Sequence, residues 1–150
     1  MLESEAVTGS ALVQKTELKQ GDFNQLPVES CAVDSVILHQ VLHYAQHPEA
    51  VLVEVSRVLK SNGFVLIADF AAHDREDLRT EHAHARLGFS DDSMKRWLIA
   101  SKLELVQTRT LDGGELTVKI WVARKPAITS LHPDADKTAS QSENLKRATA

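Results

Sequence analysis

A single cysteine, Cys31, stands in the 150 residues, so no internal disulfide can form. Its place beside an apolar run fits inert packing in a reducing cytosol. No apolar run is long enough to span a bilayer, and residues 1–10 carry Glu3 and Glu5 with no apolar stretch of the kind that signal peptides need. A cytoplasmic location without a membrane partner is expected. The chain also lacks a basic stretch able to neutralise many phosphates, and its net charge is -4, so direct nucleic-acid binding is not expected. A small molecule or another protein is the expected partner.

The most consequential absence concerns glycine. The chain has 6 glycines, and none of them builds a glycine-rich loop after an apolar strand before Gly21. Such a loop is what lets backbone approach a nucleotide cofactor. What is present is the other half of that pattern, from Gly21 to Phe70: a turn, an apolar run, a histidine-rich turn, a helical stripe and a second apolar run that ends on a carboxylate.

A hydrophobic fraction of 43% and a charged fraction of 25% fit one ordinary core. Residues 1–15 form a weakly patterned leader and receive no function. Residues 16–19 alternate Thr and Leu with charge before Gln20 and Gly21, which predicts a short strand. Residues 33–38 are a near-continuous apolar run, the pattern of a parallel strand buried on both faces. Pro48 suits a first helical turn, Glu49 complements the helix dipole, and Val51, Leu52, Val55, Val58 and Leu59 recur at helical spacing. Lys60 is placed in the last turn and Gly63 at the left-handed cap, with a second strand over residues 64–68. A crossover of this length joins parallel neighbours in the right-handed sense, so His39 and Asp69 emerge on one sheet edge. Open α/β sheets bind ligands at that edge.

Residues 74–84 are charged throughout and read as helical. Ser90 caps a further helix with Met94, Trp97 and Leu98 on one face. Residues 103–111 and 116–123 alternate around Asp112, Gly113 and Gly114, a hairpin signal. From about residue 127 to 150 large apolar residues become scarce, and disorder is expected. Trp97 and Trp121 fit core positions.

Over residues 16–126 the chain resembles the class I S-adenosylmethionine (SAM) dependent methyltransferases, in particular those with a ubiquinone-biosynthesis-like core. The matching pieces are Gly21-Asp22-Phe23 with Leu26-Pro27, the run from Val33 to Leu38, Val41-Leu42-His43-Tyr44, and Arg57-Val58-Leu59-Lys60 followed by Gly63 and a strand ending at Asp69. More narrowly, His39 to Tyr44, Ala72-His73-Asp74-Arg75 and the run from Glu81 to Phe89 look like the methyltransferase part of bacterial proteins fused behind an ArsR-type winged-helix regulator. No such DNA-binding segment occurs in this sequence.

The resemblance implies an α/β, partial Rossmann-like methyltransferase sheet ending in an antiparallel hairpin. In the family's order, three-two-one-four-five-seven-six, it would hold strands three to seven of seven. Strands one and two, with the glycine-rich loop and the acidic residue for the ribose hydroxyls, would be missing. Residues 33–38 would then be a hydrophobic edge open to pairing with residues 16–19, with another copy in a homodimer, or with a partner chain.

The implied cofactor is SAM and the implied function is methyl transfer to a small-molecule substrate by an incomplete domain. The alternative is a non-catalytic interaction or regulatory remnant that pairs through its exposed strand edge. Asp22 matches the position whose carboxylate contacts the adenine amine, with Phe23 beside the base; a carboxylate suits an amine because it only accepts hydrogen bonds. Read without the family, Asp22 is a turn aspartate. His39 and Gln40 fall where relatives place residues near the cofactor's ribose and methionine parts and near the transfer centre. Asp69 and His73 end and follow the second strand, and either could serve as general base, although transfer to an already nucleophilic atom needs alignment more than a base. For Asp69, ordering the loop is an equal reading. The other histidines, His43, His47, His82 and His84, come from several segments without a ligand pattern and are read as pocket and surface residues, with no metal site. The Asn-Pro-Pro-Tyr type of motif for methylating amide or base nitrogens is absent after the strand.

Overall fold

The computed structural model describes residues 16–127. Four strands and three helices follow in the order β1 (Val33–His39), α1 (Pro48–Val58), β2 (Leu59–Phe70), α2 (Asp77–Glu81), α3 (Asp91–Ala100), β3 (Glu104–Leu111) and β4 (Val118–Arg124), with a 3-10 turn at Leu42–Tyr44. The sheet order is β1-β2-β4-β3: β1 runs parallel to β2, and both β4 contacts are antiparallel. The expected α/β sheet with a closing antiparallel hairpin is therefore present. Its order equals four-five-seven-six of the family's seven.

One expected strand is not formed. Residues 16–20 are exposed and irregular, and the nearest pairing is an isolated bridge between Asp22 and Gln25. Two charged residues and two threonine or leucine side chains without a neighbour to pack on do not hold a strand. The sheet thus has four strands among the described residues rather than five. The leader at residues 1–15 lies outside the described residues, as does nearly all of the expected tail.

The core lies on one face. Register places Val36 beside Val65, Leu38 beside Ile67, Ile67 beside Trp121 and Val65 beside Ala123, and these side chains meet Val51, Leu52 and Val55 of α1 and Met94 and Leu98 of α3. Trp121 is fully buried with its indole N–H donated to Asp91 Oδ1 at 2.8 Å, so the largest core side chain has no unmet polar atom. Lys119 pairs with the same carboxylate. Both bonds tie β4 to the first turn of α3, whose N-cap is Ser90, accepting from Ser93 N at 3.2 Å as the sequence predicts.

The opposite face is largely open. Ile37, Leu66 and Val122 align across it, with Ile37 69% and Phe64 44% exposed. The run at 33–38, which periodicity assigned to a doubly buried strand, is the edge strand among the described residues, so only Val33, Val36 and Leu38 pack. A missing neighbour, not the residue pattern, decides that exposure. Cys31, expected to pack, is exposed too and takes a left-handed φ of 54°.

The end of α1 also differs from expectation. The helix stops at Val58 because Leu59 already has extended backbone, and Lys60 falls in β2 rather than in a last helical turn. Asn62, not Gly63, is left-handed, with φ 65°. Gly63 is needed for closeness: an added Cβ would lie 2.9 Å from the carbonyl oxygens of both Asp34 and Lys60. Of the charged stretch at 74–84, only Asp77–Glu81 is helical.

Candidate active site at the carboxyl edge of the parallel strands

The parallel pairing brings the carboxyl ends of β1 and β2 together, with His39 opposite Ala68. The chain leaves β1 through Gln40, whose N–H donates to Ala68 O at 2.8 Å and whose φ is 50°. Left-handed backbone at a residue with a Cβ costs about 1 kcal/mol. It turns the chain back over the sheet edge into the turn at Leu42–Tyr44. His39 and Gln40 are both exposed at this edge.

Asp69 anchors that turn. It is completely buried, and its carboxylate accepts four bonds: Oδ2 takes Leu42 N at 3.0 Å and His43 N at 3.3 Å, while Oδ1 takes His43 Nδ1 at 2.7 Å and Phe70 N at 2.8 Å. Because the carboxylate only accepts, His43 Nδ1 carries the hydrogen of this bond. The carboxylate is shut away from solvent and engaged by three backbone N–H groups and an imidazole, an arrangement that fits the loop-ordering reading of Asp69.

His43, read from the sequence only as a pocket or surface residue, is the partner of Asp69. It is 2% exposed and lies in a group of rings: Tyr44 and His84 have centroids 4.2 Å away and Phe70 5.2 Å. His84 is stacked on Phe70 with an interplanar angle of 18°. His73 stands edge-on to Phe70 at 6.1 Å. The only sequence signal was an aspartate at a strand end and a histidine in an apolar turn, 26 positions apart. Among the described residues no group of three or more His, Cys, Asp or Glu side chains is arranged to hold a metal ion.

Residues 71–89 lie over this edge as a loop closed at its base. Phe89 N donates to Phe70 O, Ala72 N to Phe89 O and His73 N to Leu87 O, and Arg86 N reaches His43 O at 3.0 Å. Gly88 makes the closure with φ +72° and so close an approach that a Cβ would sit 2.0 Å from Ala71 O. Two imidazole nitrogens under the loop, His73 Nε2 and His84 Nδ1, are buried without a partner. Since His73 Nδ1 accepts from Arg75 N at 3.2 Å, its Nε2 carries a hydrogen. Burial, the largest cause, pushes both rings below the ordinary imidazole pKa; for His73 the nearby Arg75 charge adds to it, and for His84 the neighbouring His43 does.

Asp22 and Phe23 sit elsewhere, in the turn that enters the segment before β1. Asp22 Oδ1 accepts from Asn24 N at 2.8 Å and Asn24 Nδ2 at 3.0 Å, the arrangement of a turn aspartate, while Oδ2 makes no hydrogen bond among the described residues. Phe23 is 40% exposed. The segment after this turn is clamped to α1: Leu26 N donates to Glu54 Oε1 at 2.8 Å, and Arg57 donates to Glu54, to Ser30 Oγ and to Val28 O. One carboxylate oxygen and an exposed ring thus remain for a ligand. A cavity of about 610 Å³ opens at the opposite sheet edge, between Val53, Ser56, Arg57, Ala100 and Lys125, away from His39, Gln40 and Asp69.

The fold is similar to that of Rossmann-like α/β methyltransferases. A family described as "Methyltransferase domain" matches residues 2–67. Among solved structures, a putative methyltransferase from Bacillus halodurans C-125 is similar in fold, with a TM-score of 0.65 at 16% identity over 74% of this chain and 78% of the other. A SAM-dependent methyltransferase from Methanosarcina mazei gives 0.61 at 16% identity, over 79% and 73%. The 1,6-didemethyltoxoflavin-N1-methyltransferase of Burkholderia thailandensis, solved with its substrate and S-adenosylhomocysteine, gives 0.54 at 16% identity, over 70% of this chain and 48% of that enzyme. No curated protein matches the sequence. Among the described residues no helix is long and apolar enough to cross a membrane.

Proposed function

We propose that the protein is a SAM-dependent methyltransferase of class I acting on a small molecule in the cytosol. The observation that carries this reading is the parallel β1/β2 edge itself, where His39, Gln40 and the His43/Asp69 pair gather at the place such sheets use for ligands. The family match and the structural neighbours support the same reaction class. SAM, when bound, supplies a methyl group on a positively charged sulfur. In this reading Asp22 Oδ2 accepts from the adenine amine, Phe23 flanks the base, and His39 and Gln40 face the ribose and methionine parts. The donor chemistry fits, because Asp22 keeps one free acceptor oxygen and the other three groups are exposed.

The proposal extends to the domain. The strand order four-five-seven-six supports a domain whose glycine-rich strand, loop and helix are not encoded in these residues, and the motifs from His39 to Tyr44 and from Glu81 to Phe89 support kinship with the ArsR-fused enzymes. Titration calorimetry with SAM tests the reading: binding should be measurable and weaken about tenfold or more in Asp22→Ala, as loss of a charged hydrogen bond of about 1.5–3 kcal/mol requires. No heat at millimolar SAM would sink it.

One observation favours the second reading, a non-catalytic module that pairs through its strand edge. Among the described residues β1 has a free edge, with Ile37 69% exposed, the arrangement that invites an added strand from a homodimer partner or another chain. Sedimentation would then show a dimer dispersed by Ile37→Lys, and a monomer at all concentrations would rule out self-pairing.

A further inference from the structure

We propose that His43, held by Asp69, is the base that takes the proton from the methyl acceptor, and that the acceptor is a planar, conjugated molecule with an ionisable O–H, seated where the His84 ring now lies. The inference rests on the methyltransferase reading and narrows its substrate class.

Three observations carry it. First, Asp69 orients the ring. With Nδ1–H donated at 2.7 Å to a carboxylate that also takes three backbone N–H groups, Nε2 is the ring nitrogen left over, and it makes no hydrogen bond among the described residues. Second, the surroundings are rings. His84 is bounded by His43 at 4.2 Å, Tyr44 at 5.5 Å and Phe70 at 5.9 Å, and a flat, neutral ring occupying that space is what a planar acceptor would replace. Third, the ring now there is poorly satisfied. His84 is 8% exposed with Nδ1 buried and unpartnered, so lifting it leaves no strong bond broken. Its backbone N–H bonds only to Leu78 O within its own loop.

The proton step balances without a further reactant. The acceptor O–H bond breaks, its electron pair stays on oxygen, and the proton forms an N–H bond at His43 Nε2. The resulting imidazolium is stabilised by the Asp69 charge behind it. The oxygen is then the nucleophile, and His73 Nε2–H, buried and unpartnered, is a donor nearby. The titratable groups facing His43 are Asp69 from β2, Tyr44 from its own turn, and His84 and the more distant His73 from the loop; the Arg86 guanidinium turns away to Gln46 O.

para-Nitrophenol, whose phenolate absorbs in the visible, tests this without SAM. Titrated into the whole chain below its own pKa, the phenol should bind with about tenfold more phenolate than in free solution, a downward shift of about one pKa unit. In the same titration of the unmutated protein, the 15N resonance of His43 Nε2 should move from the unprotonated to the protonated range. His43→Gln, with its fold checked by circular dichroism, should lose the phenolate band, and His73→Gln should keep it. Absence of binding, binding without phenolate, or phenolate with an unchanged His43 Nε2 signal would each overturn the proposal. Because SAM takes no part, these failures are distinct from a failure to bind SAM.

Discussion

Asp69→Asn isolates the group on which the candidate site depends. The substitution keeps the size of the side chain but replaces two accepting oxygens by one oxygen and an NH2. In the native protein each oxygen receives two N–H donors: Oδ1 from His43 Nδ1 and Phe70 N, Oδ2 from Leu42 N and His43 N. With the NH2 in the Oδ2 place, Leu42 N and His43 N both face a donor; in the Oδ1 place Phe70 N does, and His43 Nδ1 keeps a bond only by moving its hydrogen to Nε2. A hydrogen bond to a charged group contributes about 1.5–3 kcal/mol, and the 3.3 Å bond from His43 N is a weak member of its pair, so the loss should be about 3 kcal/mol. The site has 0% exposure, so water cannot replace the lost acceptor without opening the turn. Urea unfolding is the assay. With a slope of about 1.5 kcal/mol/M for a small domain, the midpoint should fall by about 2 M while the slope stays the same. A loss below about 1 kcal/mol would refute the reasoning, since it would mean that Leu42, His43 and Phe70 find other acceptors and that the carboxylate does not organise the turn.

Two further outcomes follow from the same edge. Gly88→Ala should cost at least about 2 kcal/mol, because left-handed backbone adds roughly 1–2 kcal/mol and the new Cβ would also fall 2.0 Å from Ala71 O; a melting temperature within a degree of the parent would contradict the closure of the loop. The pH dependence of stability has a definite sign. His73 and His84 have folded-state pKa values below the ordinary 6.5, so the unfolded chain binds more protons between the folded values and 6.5. Stability should therefore fall as pH drops below about 6.5 and level off beneath the folded values. The double variant His73→Gln/His84→Gln should flatten that slope, as read by urea unfolding across the window.

Much of the fold was legible because its signals are local. Pro48 and Glu49 open α1, Ser90 caps α3, and Asp112 with two glycines turns the hairpin, each acting over a few residues. The misreadings fall where a distant neighbour decides. Gly63 carries a helix-stop signal, yet the crowding that requires glycine there comes from Asp34 and Lys60 carbonyls. The run at 33–38 has the composition of an interior strand, yet its burial depends on whether a strand lies on its far side. Asp69 was legible as a residue at the ligand edge but not as the partner of His43.

The sequence by itself determined the order and kind of the elements from residue 33 to 124, the parallel pair whose carboxyl ends meet, and the presence at that edge of His39, Gln40, Asp69 and His73. Periodicity, caps and crossover handedness act through the chain's own connectivity, so they can be read along it. Only the tertiary structure decided that Asp69 is buried under four donors, that His43 rather than His39 receives its carboxylate, and that His84 closes the ring cluster from a loop 41 positions further on. Those outcomes depend on which polar groups share a buried volume, and that is set by packing between segments that no local pattern relates.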